Sequence, residues 1–209
     1  MDLEARNRSW RLEILEATLL AVVAVATAWS GYQSARWDGR SAESYAQAAA
    51  LRMESDEESN LGGQRRLQDV STFNAWIHAR AQGDDKMTAF LERRFSAEYT
   101  TAFKAWLLTD PFENPDAPAG PAYMPEYVNS LKSKGAEFKT RAAEELEEGK
   151  HSREKAEDYV RITVLLATVL FLIAISQRFH VRIAKLGLLG LAVVATGVIL
   201  WLLITFPRA

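Results

Sequence analysis

The sequence predicts an all-α protein with three transmembrane helices and an extramembrane four-helix bundle made of long helices. Three apolar segments, at residues 12–31, 160–176 and 183–206, have lengths within the range of about 17–25 residues that a spanning helix needs. The rest of the sequence is rich in Ala, Glu, Arg, Lys and Leu and shows few strand-like alternations. We therefore expect a membrane protein with a large polar insert that is helical.

The average composition conceals this division. The chain has 209 residues, with 25 basic and 27 acidic side chains and no cysteine, and these averages resemble those of an acidic soluble domain. However, the only charges in the three apolar segments are Glu13, Glu16, Arg161 and Lys185. The lack of cysteine excludes disulfides and thiolate chemistry. A net charge of -2 provides no basic field for nucleic acid, so we expect no nucleic-acid partner.

The first span is predicted at 12–31, after an N-terminal tail at 1–11. Trp10 and Trp29 bracket it and are about 28 Å apart along a helix, which suits one aromatic side chain at each membrane interface. A cleaved signal peptide is the alternative, because arginines precede the apolar run and Ala26-Thr27-Ala28 resembles a cleavage site. The helical pattern continues past that point and favours a span.

The short connections predict the orientation. Positive charge concentrates in the N-terminal tail and around the turn at 177–182, where Arg178, Arg182 and Lys185 lie, whereas the C-terminal tail at 207–209 has only Arg208. By the positive-inside rule the N-terminal tail and the turn are cytoplasmic. The helical domain at 32–159 and the C-terminus are then extracytoplasmic.

Four helices are predicted between the N-terminus and the turn, at 12–60, 64–82, 84–109 and 125–178. Gly62-Gly63 is interpreted as a break, and Gly83-Asp84-Asp85 as a helix end followed by an N-cap. The segment DPFENPDAPAGPAYMP holds most of the six prolines and is predicted to be the one long loop.

Small residues form a stripe along the first helix. They recur in steps of four and three, which is the heptad period of a coiled coil: Ala17, Ala21, Ala24, Ala28, Gly31 and Ala35. The fourth helix has a similar series that includes Gly135, Ala142, Gly149 and Ala156, and the third span contains Gly187, Gly190 and Gly197. Small side chains let helices approach closely. The stripes predict either antiparallel packing within the chain or an interface with a second copy.

The usual catalytic motifs are absent from the sequence, and the three histidines are scattered. The acidic run at 54–59 offers ligands to a divalent ion, but carboxylates on a helix mostly face solvent. The loop oxygens of Asp110, Glu113, Asn114 and Asp116 resemble calcium ligands by type, but the loop lacks the ligand spacing and the glycine of an EF-hand. We therefore predict no catalytic residue, no metal site and no cofactor.

Glu13 and Glu16 lie one turn apart, just inside the cytoplasmic end of the first span. Acids at this depth usually pair with a base or line a bundle interior. One interpretation is that they reach headgroups or pair with Arg178, Arg182 or Lys185. The other is that they form a cation-attracting ring at the inner mouth of an oligomeric pore. Further polar lining would come from Thr18, Thr27, Ser30, Gln33 and Ser34.

Three stretches together resemble a group of bacterial inner-membrane proteins of unknown function with one N-terminal and two C-terminal spans. They are AWSGYQSARWDGRSAE at 28–43, DPFENPDAPAGPAYMPEY at 110–127 and AEDYVRITVLLATVLFLIAISQRF at 156–179. The resemblance implies a bacterial source and a multi-pass inner-membrane protein, and it implies no activity.

The pattern favours a non-enzymatic structural or partner-binding protein that acts through its periplasmic helical bundle. Its expected partners are the lipid bilayer, an envelope protein and a second copy of itself. The alternative is a homo-oligomeric ion channel or transporter whose first helix lines the path, and a membrane-bound enzyme ranks third.

Overall fold

The fold is described by a computed structural model over residues 3–179 and 181–208, without the side chains of residues 3–9, 11 and 182. This part of the chain contains five α-helices and no strand, so the predicted all-α class is confirmed. The helices are α1 (Leu3–Ala81), α2 (Asp85–Glu92), α3 (Ala97–Leu107), α4 (Ser130–Ser176) and α5 (Arg182–Thr205), with a short 3-10 turn at Pro121–Tyr123.

Three of these helices, α1, α4 and α5, are long and apolar enough to cross a membrane. Their apolar segments lie in the parts of the sequence where the three spans were predicted. The chain divides into two compact units, of which unit 1 comprises Met1–Ala46 with Glu145–Ala209 and unit 2 comprises Gln47–Glu144. The division falls inside the predicted polar insert, so the polar parts of α1 and α4 that adjoin the apolar segments belong to unit 1.

The break predicted at Gly62-Gly63 is wrong, because α1 continues through both glycines to Ala81. Glycine costs only about 1 kcal/mol relative to alanine inside a helix, and packing readily overrides such a cost. A Cβ at position 62 would lie 2.8 Å from Asn129 Oδ1 and 3.1 Å from Lys132, whereas one at position 63 would meet nothing within 4 Å. Gly62 therefore permits a close approach to the start of α4.

The helix predicted at 84–109 is two helices, α2 and α3. Ser96 is the N-cap of α3, and its Oγ accepts a hydrogen bond from Tyr99 N at 3.1 Å. The helix predicted from residue 125 begins instead at Ser130, where Asn129 Oδ1 accepts a hydrogen bond from Lys132 N at 3.0 Å. The predicted boundary at Gly83-Asp84 is confirmed, with Gly83 at φ +72° and Asp84 accepting from Met87 N.

The core of unit 1 is formed by aliphatic side chains of the three long helices. Val23 of α1, Leu166 and Ile173 of α4, and Ala192 and Ile199 of α5 are all buried in one cluster. These residues belong to the apolar segments. The three candidate spans therefore pack against one another through part of their surface.

Serine hydroxyls join α1 to α4 within unit 1. Ser34 Oγ donates to Ala156 O at 3.1 Å, and Ser41 Oγ donates to Gly149 O at 2.9 Å. Ser30 Oγ donates to Tyr159 O at 2.9 Å. The acceptors run backwards along α4 as the donors advance along α1, so the two helices are antiparallel here, as the heptad patterns predicted.

Candidate functional site

The small residues of the first stripe lie on the outside of the described chain. Ala17, Ala21, Ala24, Ala28, Gly31 and Ala35 are all exposed. The buried face of α1 is instead offset by one residue and includes Val23, Ser30 and Trp37. The first stripe is therefore open on its outer side in the described chain, and an interface with a second copy stays a prediction.

The glycines of α5 resemble this stripe, and those of α4 differ from it. A Cβ added at Gly187, Gly190 or Gly197 would meet nothing within 4 Å. In α4, by contrast, a Cβ at Gly149 would lie 2.8 Å from the ring of Tyr45, and Ala142 and Ala156 are buried. Packing within the chain is therefore confirmed for the α4 series.

Glu16 and Glu13 differ in their surroundings. Glu16 is buried, and its Oε1 lies 2.9 Å from Lys185 Nζ, whose side chain is 26% exposed. Glu13 is exposed. The ion pair links the beginning of the apolar part of α1 to the beginning of α5 inside unit 1. Glu16 thus has the basic partner that one of the two interpretations predicted.

Two of the hydroxyls suggested as pore lining, those of Ser30 and Ser34, contact α4. Ser30 is buried and, like Ser34, donates to a backbone carbonyl of α4. Thr27 donates to Val23 O within its own helix. In the described chain the hydroxyls of Ser30 and Ser34 therefore join α1 to α4.

Unit 2 contains an aromatic core. Phe73 and Trp76 of α1 stack with their ring centroids 5.9 Å apart. They contact aromatic rings of α3 and of the residues just before it. The buried members of this cluster are Phe73, Trp76, Phe95, Tyr99, Phe103 and Trp106. By contrast, Leu67, which is also an apolar residue of α1, is 72% exposed.

Polar contacts fix the elements around this core. Asp69 of α1 is buried and accepts from Ser96 N at 2.9 Å and from Ser96 Oγ at 2.7 Å. Trp76 Nε1 donates to Glu92 Oε1 at 2.9 Å, and Trp106 Nε1 donates to Pro118 O at 2.7 Å. The last contact holds the proline-rich loop against α3.

An open groove of about 420 Å³ lies between α1 and this loop. We call it the aromatic groove; its lining comprises Arg66, Leu67, Val70, Phe73, Asn74, Tyr99, Ala119, Gly120, Ala122 and Tyr123. Phe73 and Tyr99 are buried, whereas Leu67 and Tyr123 are about 70% exposed. A Cβ at Gly120 would lie 3.1 Å from Phe73 Cε1, so glycine lets the loop approach that ring.

Arg66 supplies positive charge to the groove. Its guanidinium lies 5.9 Å from the ring centroid of Tyr127, in a cation–π arrangement. Arg66 forms no salt bridge with any residue that the structure describes. Burial, and secondarily the nearby Asp69 carboxylate, raises the pKa of Tyr99 well above its usual value. Tyr99 is therefore neutral at physiological pH.

Metal-binding geometry is not found in the described residues, which contain no group of three or more His, Asp or Glu side chains placed to hold one ion. In the loop, Asn114 Oδ1 accepts from Asp116 N and Asn114 Nδ2 donates to Thr109 O. From the acidic run, Glu58 pairs with Lys134 and raises the pKa of that ammonium group. His78 and His151 are exposed, and His180 lies outside the described residues.

Sequence reasoning missed the aromatic groove because its lining comes from α1, α3 and a loop distant along the chain. Nothing in the local sequence distinguishes the exposed Leu67 from other apolar residues of α1, such as the buried Phe73. Comparison with protein-family models, with curated proteins and with solved structures finds no match to this chain. The groove is therefore interpreted from its own geometry.

Proposed function

We propose that the protein is a non-enzymatic membrane-anchored binding protein whose aromatic groove holds an extended segment of a partner protein. The observation that carries this proposal is the exposure of Leu67 and Tyr123 at the edges of a groove floored by aromatic rings. Large apolar side chains exposed together around a concave surface commonly mark a binding site.

The lining determines the chemistry of the segment. Phe73, Tyr99 and Ala122 offer apolar contact, and Arg66 offers a guanidinium without an acidic partner in the described chain. A guanidinium binds carboxylates through paired hydrogen bonds. The preferred segment therefore combines an apolar side chain with an adjacent Asp or Glu.

Panning a random peptide library against the full chain in nanodiscs tests the proposal. We expect enrichment of peptides that pair apolar and acidic residues. Their affinity should fall at least tenfold, about 1.4 kcal/mol, in Leu67→Asp and in Arg66→Gln. Leu108→Asp is the matched control, because Leu108 is exposed in unit 2 and does not line the groove. Equal binding by all variants, or no enrichment, would contradict the proposal.

We also propose a bacterial inner-membrane location with the aromatic groove on the extracytoplasmic side. The support is the excess of basic residues in the N-terminal tail and the 177–182 turn. The chain has no cysteine, so one introduced at Leu67 gives an unambiguous label. Labelling of intact cells by an impermeant maleimide supports this orientation, and labelling only after lysis contradicts it.

A further inference from the structure

A second open groove lies in unit 1, between α1 and α5. It has a volume of about 480 Å³, and its lining includes Ala21, Val25 and Trp29 of α1, Leu200 and Ile204 of α5, and Arg208. Ala21 belongs to the exposed stripe, and its small side chain leaves space beside the larger ones. The volume lies within the range of about 300–1,000 Å³ that is usual for small-molecule sites.

The surroundings indicate what enters this groove. Both walls belong to helices that are long and apolar enough to cross a membrane, and Val25 and Ile204 are about 70% exposed on them. In a bilayer such side chains face hydrocarbon. An occupant that enters from the side is therefore an acyl chain.

One end of the groove is charged. Arg208 lines it, and the backbone just before Arg208 is fixed because Tyr159 Oη donates to Pro207 O at 2.9 Å. The rings of Tyr159 and Phe206 also meet edge to face, with centroids 5.8 Å apart. Arg208 forms no salt bridge with the residues that the structure describes. A guanidinium beside an apolar groove suits a phosphate group.

We propose that this groove binds one anionic phospholipid, with an acyl chain between α1 and α5 and the phosphate on Arg208. The charge of Arg208 favours a lipid with a net negative headgroup over a zwitterionic one. Trp29, which lines the same groove, lies near the predicted membrane interface, where headgroup and chain meet. The proposal is independent of the aromatic groove and of its partner.

Native mass spectrometry of the full chain, released from nanodiscs of mixed phosphatidylglycerol and phosphatidylcholine, tests this site. We expect one retained phosphatidylglycerol per chain. Retention should fall at least tenfold in Arg208→Gln, which removes the phosphate contact, and in Val25→Trp, which fills the groove. Arg178→Gln and Val194→Trp are the matched controls, because both residues are exposed and neither lines the groove.

Each other outcome contradicts the proposal. If all variants retain the lipid equally, the lipid binds the membrane-facing surface in general and not this groove. If only Val25→Trp loses the lipid, Arg208 does not bind the phosphate. If phosphatidylglycerol and phosphatidylcholine are retained equally, the site has no preference for an anionic headgroup. If the wild-type chain is a dimer that becomes a monomer only in Val25→Trp, the groove binds a second copy of the chain instead of a lipid.

Discussion

At the scale of single residues, Tyr99 shows how the core of unit 2 places a polar group in an apolar setting. Its side chain is fully buried, and its hydroxyl has no hydrogen-bond partner among the described residues. A buried hydroxyl without a partner costs stability, whereas the ring contributes burial and aromatic contacts. The two parts of the side chain therefore act in opposite directions.

We expect Tyr99→Phe to leave the stability at pH 7 unchanged or to raise it by about 1–2 kcal/mol, because the unsatisfied hydroxyl is removed. The raised pKa of Tyr99 also has a consequence at high pH. The unfolded chain releases the phenol proton near pH 10 and the folded chain only at higher pH, so folding loses stability as pH rises above about 10.

Near-UV circular dichroism during denaturation, at pH 7 to 11, checks both effects. The wild-type chain should lose more stability than Tyr99→Phe above pH 10, and the difference between them isolates this residue from the other titrating groups. The same slope in both chains would contradict the prediction.

At the scale of elements, glycine has two roles in the long helices. In unit 2, a Cβ at Gly135 of α4 would lie 2.5 Å from Ser59 Oγ and 3.0 Å from the backbone oxygen of Ser55. Ser55 Oγ also donates to Gly135 O at 2.7 Å. Gly135 thus allows contact between α4 and α1, whereas Gly63 meets open space.

We expect Gly135→Ala to destabilise the chain by about 1–3 kcal/mol, because backbone atoms must shift to admit the methyl group. Gly63→Ala is the control, and it should stabilise by about 0.5–1 kcal/mol through helix propensity alone. Denaturation of the full chain in detergent, followed by far-UV circular dichroism, measures both. If the two variants change stability in the same direction, the assigned roles are wrong.

These glycines also show what the sequence discloses and what it does not. The helical class, the three apolar segments and the Gly83-Asp84 boundary follow from local patterns. Gly62-Gly63 resembled a break because local propensity does not include the approach of Asn129, which lies just before α4. The exposed stripe was found by its period, but period alone does not choose between faces offset by one residue, such as those of Val23 and Ala24. That choice depends on which face α4 and α5 cover, and the aromatic groove depends on similar long-range contacts.

At the scale of the whole molecule, self-association remains a prediction that the exposed stripe supports. Small residues that leave a helix face open are typical of close helix contacts in membranes. We expect Gly31→Leu to fold normally, since its Cβ position is open in the single chain. It should weaken association at least tenfold.

Mass measurement in nanodiscs across a range of chain concentrations tests this prediction. Gly39→Leu is the matched control, because Gly39 is equally open and lies on α1 outside the stripe. A wild-type mass that stays monomeric, or equal association of the two variants, would contradict it.

The close approach of Gly149 to Tyr45 restricts how unit 1 is able to move. If α4 slid along α1 by one heptad, Ala142 or Ala156 would replace Gly149 beside the Tyr45 ring. A Cβ at that position would lie only 2.8 Å from the ring atoms of Tyr45. The slide would also separate Ser41 from the carbonyl that it contacts. Piston-like displacement of one of these helices past the other by a heptad therefore requires the Tyr45 ring to move.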